Sequence, residues 1–131
     1  MDSLVVVDAA NVVGSVPDGW WRDRHGAAER LRDALVEYAG TGLPGLLAPP
    51  VDMVLVVEGA ARGVASVEGV RVVAASGSGD DRIVQLVTEE RGNRDCLVIT
   101  ADRELRTRVQ SLGARVTGPR AVWGRGGTRE R

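Results

Sequence analysis

The sequence predicts an α/β domain in three layers, with a central, mostly parallel sheet of four to five strands covered by helices on both faces. Two observations carry this. Four short segments, LVVVD, MVLVVEG, VRVVAA and CLVIT, are continuous β-branched and apolar runs rather than alternating ones, which is the form of strands buried on both faces. Between them lie stretches whose apolar residues recur at helical spacing, and strands that alternate with helices close into a parallel sheet through right-handed crossovers.

Taken in order, the first strand is Leu4 to Asp8. A helix over Gly26 to Tyr38 sets Ala27, Leu31, Ala34, Leu35 and Tyr38 on one face. The stretch Ala39 to Pro50, broken by Gly40, Gly42, Pro44, Gly45, Pro49 and Pro50, is expected to be an exposed connection. Strands follow at Met53 to Gly59 and Val70 to Ala75, then a helix at Asp80 to Arg91 with Ile83, Val84 and Val87 on one face. Cys96 to Thr100 forms a fourth strand, Asp102 to Leu112 a short helix, and ARVTG near Ala114 a weaker fifth strand. The order is βαββαβαβ. Residues 1–117 make one domain, and 118–131 an Arg/Gly-rich tail expected to be frayed.

Composition removes several classes of function. All 17 basic residues are arginine, and a chain without lysine has no Walker A phosphate loop and no Schiff-base chemistry. The single cysteine, Cys96, rules out a disulfide framework or a cysteine metal site, and its expected role is packing. The net charge of −1 gives no bulk attraction for nucleic acid, so any such contact must be local. No run reaches the roughly 18 apolar residues of a membrane helix. Met1 and Asp2 lead straight into a strand-length apolar run instead of an export signal, so a cytoplasmic protein is expected.

In open parallel sheets ligands bind beyond the carboxyl ends of the strands, and each crossing here supplies an acid. Asp8 ends the first strand with Asn11 just after, and Glu58 ends the second. Asp80 and Asp81 open the helix after the third, and Asp102 and Glu104 follow the fourth. If the strands are neighbours these carboxylates converge, and like charges a few ångströms apart need a cation. Oxygen ligands without cysteine favour Mg²⁺ or Mn²⁺ over zinc. Asp80 and Asp102 also stand where helix N-caps are expected, and Asp81 suits a solvated first-turn acid. Asp8, directly after three valines, is the hardest to explain without a partner.

The segments VVVDAANVVG, VVEGA, GSGDDRIVQLV and VITADREL together resemble the successive motifs of the PIN-like nuclease superfamily, in particular its bacterial NYN-domain branch, over about residues 3 to 117. The resemblance implies a Rossmann-like, PIN-like fold and a metal-dependent endoribonuclease in which one or two Mg²⁺ or Mn²⁺ ions act on RNA. It implies Asp8, Asp80 and Asp102 as the principal metal ligands, with Asn11 orienting Asp8 or touching substrate. Glu58 and Glu104 would serve a second metal or its water, and Thr100 would hydrogen-bond a carboxylate. Glu58 stands where the family more often has the shorter acid.

Arg22, Arg24, Arg82 and Arg103 lie beside the acid motifs, as phosphate ligands or as counterions of the acids. Trp20 and Trp21 could stack unpaired bases, although such a pair more often covers a core, and His25 reads as a surface residue. A dehalogenase-type phosphatase is excluded, since it needs a second Asp where Ala10 stands, and a lysine. The alternatives are a nucleotide pyrophosphohydrolase on the same metal site and a non-catalytic RNA-binding or interaction module. A homodimer and a protein partner are compatible with each.

Overall fold

The computed structural model describes residues 2–123. Its elements are β1 (Ser3–Asp8), α1 (Ala9–Val13), α2 (Arg24–Thr41), β2 (Val51–Val57), β3 (Val70–Ala74), α3 (Gly79–Glu90), β4 (Cys96–Ile99), α4 (Arg103–Gln110) and β5 (Arg115–Thr117). Short 3₁₀ turns at Trp20–Arg22, Gly59–Ala61 and Pro119–Ala121 join them. The five strands form one parallel sheet in the order β3-β2-β1-β4-β5. The fold is thus a three-layer, Rossmann-like α/β sandwich.

Alternate residues of each strand feed two separate cores, which is why the strands read as unbroken apolar runs. Val5, Val7, Met53, Leu55, Leu97 and Ile99 face α1 and α2, where they meet Leu31 and Leu35. Leu4, Val6, Val54, Val56, Cys96 and Val98 face α3 and α4, where they meet Ile83, Val87, Leu105 and Val109. Cys96 is buried packing, and desolvation pushes its thiol up, against the nearby Arg94 charge.

Helix α2 runs longer than its apolar period because Asp23 caps it, accepting the Gly26 N–H at 2.9 Å. It stops at Gly42, which takes φ 77° where a β-carbon would also run into the Pro49 nitrogen at 2.8 Å. The connection that follows is not wholly exposed: Leu43 is buried in the core and bridges Leu47. Nor does order end at Gly118. Val122, 2 % exposed, packs into the α2-side core with Trp123 against it, while 124–131 lie outside the described residues. Among the described residues no helix is long and apolar enough to cross a membrane.

Candidate functional site

After β1 the chain runs outward through β2 and β3, then crosses back to β4 on the other side of β1. Such a reversal is where open parallel sheets bind ligands, here at the carboxyl ends of β1 and β4. The register pairs Val7 with Ile99 and Asp8 with Val56, so Asp8 and Thr100 finish neighbouring strands at the same level.

Asp8 is only 5 % exposed. Its Oδ2 accepts the Thr100 hydroxyl at 2.9 Å, and its Oδ1 accepts the Asn11 N–H at 3.4 Å as the cap of α1. Burial pushes the carboxyl up to about 6, against the pull of those two hydrogen bonds, and the charges of Asp80 and Glu58 push it the same way. Asp80 is also raised, first by burial, then by Asp102 and Glu58, with Arg108 opposing. Four acids, Asp8 and Glu58 at the ends of β1 and β2 and Asp80 and Asp102 at the starts of α3 and α4, therefore share one electrostatic neighbourhood.

Thr100 joins two of them. Its fully buried hydroxyl donates to Asp8 and accepts the Asp102 N–H at 3.1 Å. Asp102 caps α4, its Oδ1 accepting from Leu105 N at 2.9 Å, which uses one of its two oxygens. The cap of α3 is Ser78 and not Asp80, so Asp80 sits in the first turn with its carboxylate unused by capping. Asp81 is the solvated first-turn acid, paired with Arg108 at 3.1 Å. Asn11 does not orient Asp8 with its side chain. Its Oδ1 accepts the Ala101 N–H at 2.7 Å and ties α1 to the loop after β4.

Glu58 accepts the Gly79 N–H at the start of α3, where the helix dipole favours a carboxylate. A β-carbon at Gly79 would collide with Glu58 Oε1. Gly79→Ala would ordinarily gain up to about 1 kcal/mol of helix propensity. Here it is expected to lose about 1 kcal/mol instead, because a charge-assisted hydrogen bond worth ~1.5–3 kcal/mol is broken. Urea unfolding checks this, and a gain in stability would contradict it.

The remaining residues divide. Glu104 is exposed, and the acids that act most on Asp8 and Asp80 do not include it. Arg82 turns along its own helix to Gln85 at 3.1 Å, and Arg103 is exposed on the first turn of α4. Arg24 lies over the Trp20 ring at 5.4 Å and Arg22 over Trp21 at 5.7 Å. Trp20 packs on the core, whereas Trp21 is 51 % exposed. His25 faces Glu29 at 3.6 Å. Arg108, the cation acting on Asp80, carries no signal in the sequence, since only the packing of α3 on α4 brings it there.

An oxygen-only donor set with two upshifted carboxyls suits a hard divalent cation in kind. Among the described residues no three acidic, His or Cys side chains close into a cage. Mg²⁺ does not require one, since it keeps several waters and is commonly held by one or two carboxylates.

No family model matches the chain, and no curated protein does. The fold is similar to that of Rae1 (YacP) from Bacillus subtilis. The crystal structure of a tryptophan-to-leucine mutant of Rae1 matches with a TM-score of 0.74 over 93% of this chain and 72% of that one, at 20% identity. A second Rae1 crystal structure matches with a TM-score of 0.71 over 92% and 71%, also at 20% identity. At that identity the likeness is one of fold.

Proposed function

We propose that the chain is a divalent-metal-dependent ribonuclease of the PIN-like, NYN kind, hydrolysing phosphodiester bonds of RNA at the carboxyl ends of β1 and β4. The observation that carries this is the Asp8 carboxyl, 5 % exposed at the end of β1 and linked to the Asp102 backbone through the buried Thr100 hydroxyl, where burial and the charges of Asp80 and Glu58 push it up to about 6. A protein retains an arrangement that destabilises its own fold where function requires it. The motif resemblance suggests the substrate class, and the reading is supported by the parallel strand order, since open parallel sheets bind ligands beyond the carboxyl ends of their strands.

One or two of Asp8, Asp80 and Asp102 would hold Mg²⁺ or Mn²⁺, with waters completing the coordination, and Glu58 and the more exposed Glu104 would be available to a second ion or its water. When bound, such an ion polarises the phosphoryl oxygen and lowers the pKa of its water. Thr100 fixes the Asp8 carboxylate by hydrogen bond, and Asn11 holds the loop that carries Asp102. Arg24, which shares a pocket wall with Glu58, would meet a backbone phosphate, and Arg22, Arg82 and Arg103 are the further arginines near the acid motifs in sequence that could do so.

The Asp102→Asn variant separates chemistry from structure, because Asn caps a helix about as well as Asp. Its stability is expected to stay within about 1 kcal/mol of wild type, while Mn²⁺-dependent cleavage of single-stranded RNA falls on the order of 10²-fold. Wild-type cleavage by that variant would overturn the assignment of Asp102. Hydrolysis of free nucleoside triphosphates with RNA left intact would favour the pyrophosphohydrolase instead.

A further inference from the structure

Beside the acids, between α1, the start of α2 and the turn after β2, lies a pocket of about 160 Å³. Its walls include Ala9, Ala10, Trp20, Arg24, Glu58 and Gly59. Ala9 directly follows Asp8, and Glu58 belongs to both the pocket and the acid group, so the two sites share a wall. The volume is several times the ~30 Å³ share of one water and well under the ~300 Å³ of a drug-sized ligand site. It suits a single planar ring system.

We propose that this pocket seats one unpaired nucleobase of the RNA strand being cleaved. The inference rests on the ribonuclease reading and adds a requirement for single-stranded substrate and for a base at a fixed position from the scissile phosphate. The wall chemistry is that of a base site: small apolar side chains, an indole, and a guanidinium already laid over that indole at 5.4 Å. Next to it, Trp21 meets Trp20 edge-on at 5.9 Å, and its 51 % exposed ring carries Arg22. A strand leaving the pocket thus meets a second aromatic and arginine pair, and the net charge of −1 makes such local contacts the available means of holding it. A base inside a duplex would first have to leave its stack, which disfavours paired RNA.

The test uses the full chain in EDTA, so that binding is read without cleavage. Fluorescence anisotropy compares one labelled single-stranded RNA, its duplex, and a set of strands lacking the base at one position each. Wild type is expected to bind the intact strand about tenfold more tightly than the duplex and than at least one abasic strand. Ala10→Leu, at an exposed position on the pocket wall, fills the pocket without removing core packing. It is expected to lose about tenfold for the intact strand and nothing for the abasic strand that wild type binds weakly. Equal binding of intact and abasic strands by wild type, no measurable binding of the intact strand, or no effect of Ala10→Leu overturns the base pocket. Base-dependent binding in a protein that cleaves no RNA with Mn²⁺ would instead sink the hydrolytic reading while leaving the pocket standing.

Discussion

The Asp8→Asn substitution is expected to stabilise the protein by about 2 kcal/mol at pH 8 while removing its affinity for divalent metal. Burial raises the Asp8 carboxyl from 3.8 to about 6. At about 1.36 kcal/mol per unit, ionising it in the folded state costs about 3 kcal/mol more than in the unfolded chain. The asparagine amide avoids that charge but places an NH₂ where one of two hydrogen-bond donors, Thr100 or Asn11, now points, which returns part of the gain. Because the folded pKa lies above the unfolded one, the folded state binds the extra proton between about pH 4 and 6. Wild-type stability from this group is therefore full below about pH 4 and is lost as pH rises through 6. The variant lacks this loss, so the order reverses with pH: wild type is the more stable by about 1 kcal/mol near pH 4 and the variant by about 2 kcal/mol above pH 6. Urea unfolding at both pH values reads the difference, and a variant less stable than wild type at pH 8 would show that burial does not dominate at Asp8.

The opposite sign is expected for Thr100→Val, a loss of about 2–3 kcal/mol at pH 8. Valine fills the fully buried position but leaves a carboxylate without its O–H donor and the Asp102 N–H without its acceptor. A hydrogen bond to a charged group is worth ~1.5–3 kcal/mol and a neutral one about 1 kcal/mol. The loss should therefore shrink below pH 4, where Asp8 is protonated in both states. In the Asp8→Asn background the same substitution should cost about 1 kcal/mol, a non-additivity that identifies the pair as one unit. Divalent-ion affinity of the single variant should fall ~10–100-fold, as when a ligand loses its supporting hydrogen bond. Equal losses at pH 4 and pH 8 would mean that valine disturbs packing and not the carboxylate.

The sheet was legible because strands such as Leu4 to Asp8 and Cys96 to Thr100 are buried on both faces, which leaves no polar alternation to confuse them with helices. The acids were legible because each directly follows such a strand or opens the next helix. What the sequence concealed is tertiary or too short to be periodic. Helix α1 spans five residues, less than the window in which a helical period shows. Ser78, Gly79 and Asp80 are all residues that suit a cap, and only the folded backbone selects Ser78. The contact of Glu58 with Gly79 links positions 21 residues apart, and Arg108 reaches the acids only through the packing of α4 on α3. The Arg/Gly composition after residue 118 hid the two apolar side chains, Val122 and Trp123, that continue the core.

The most direct test of the carboxylate site is the stability of wild type and Asp8→Asn in urea at pH 8 as Mn²⁺ is added. A ligand that binds only the folded state stabilises it by about 2.7 kcal/mol at a hundred times its dissociation constant. Wild type is predicted to gain stability with Mn²⁺ until the advantage of the variant at pH 8 is cancelled, and Asp8→Asn is predicted not to respond. A wild type indifferent to millimolar Mn²⁺, or an equal gain in both proteins, would contradict metal binding at Asp8.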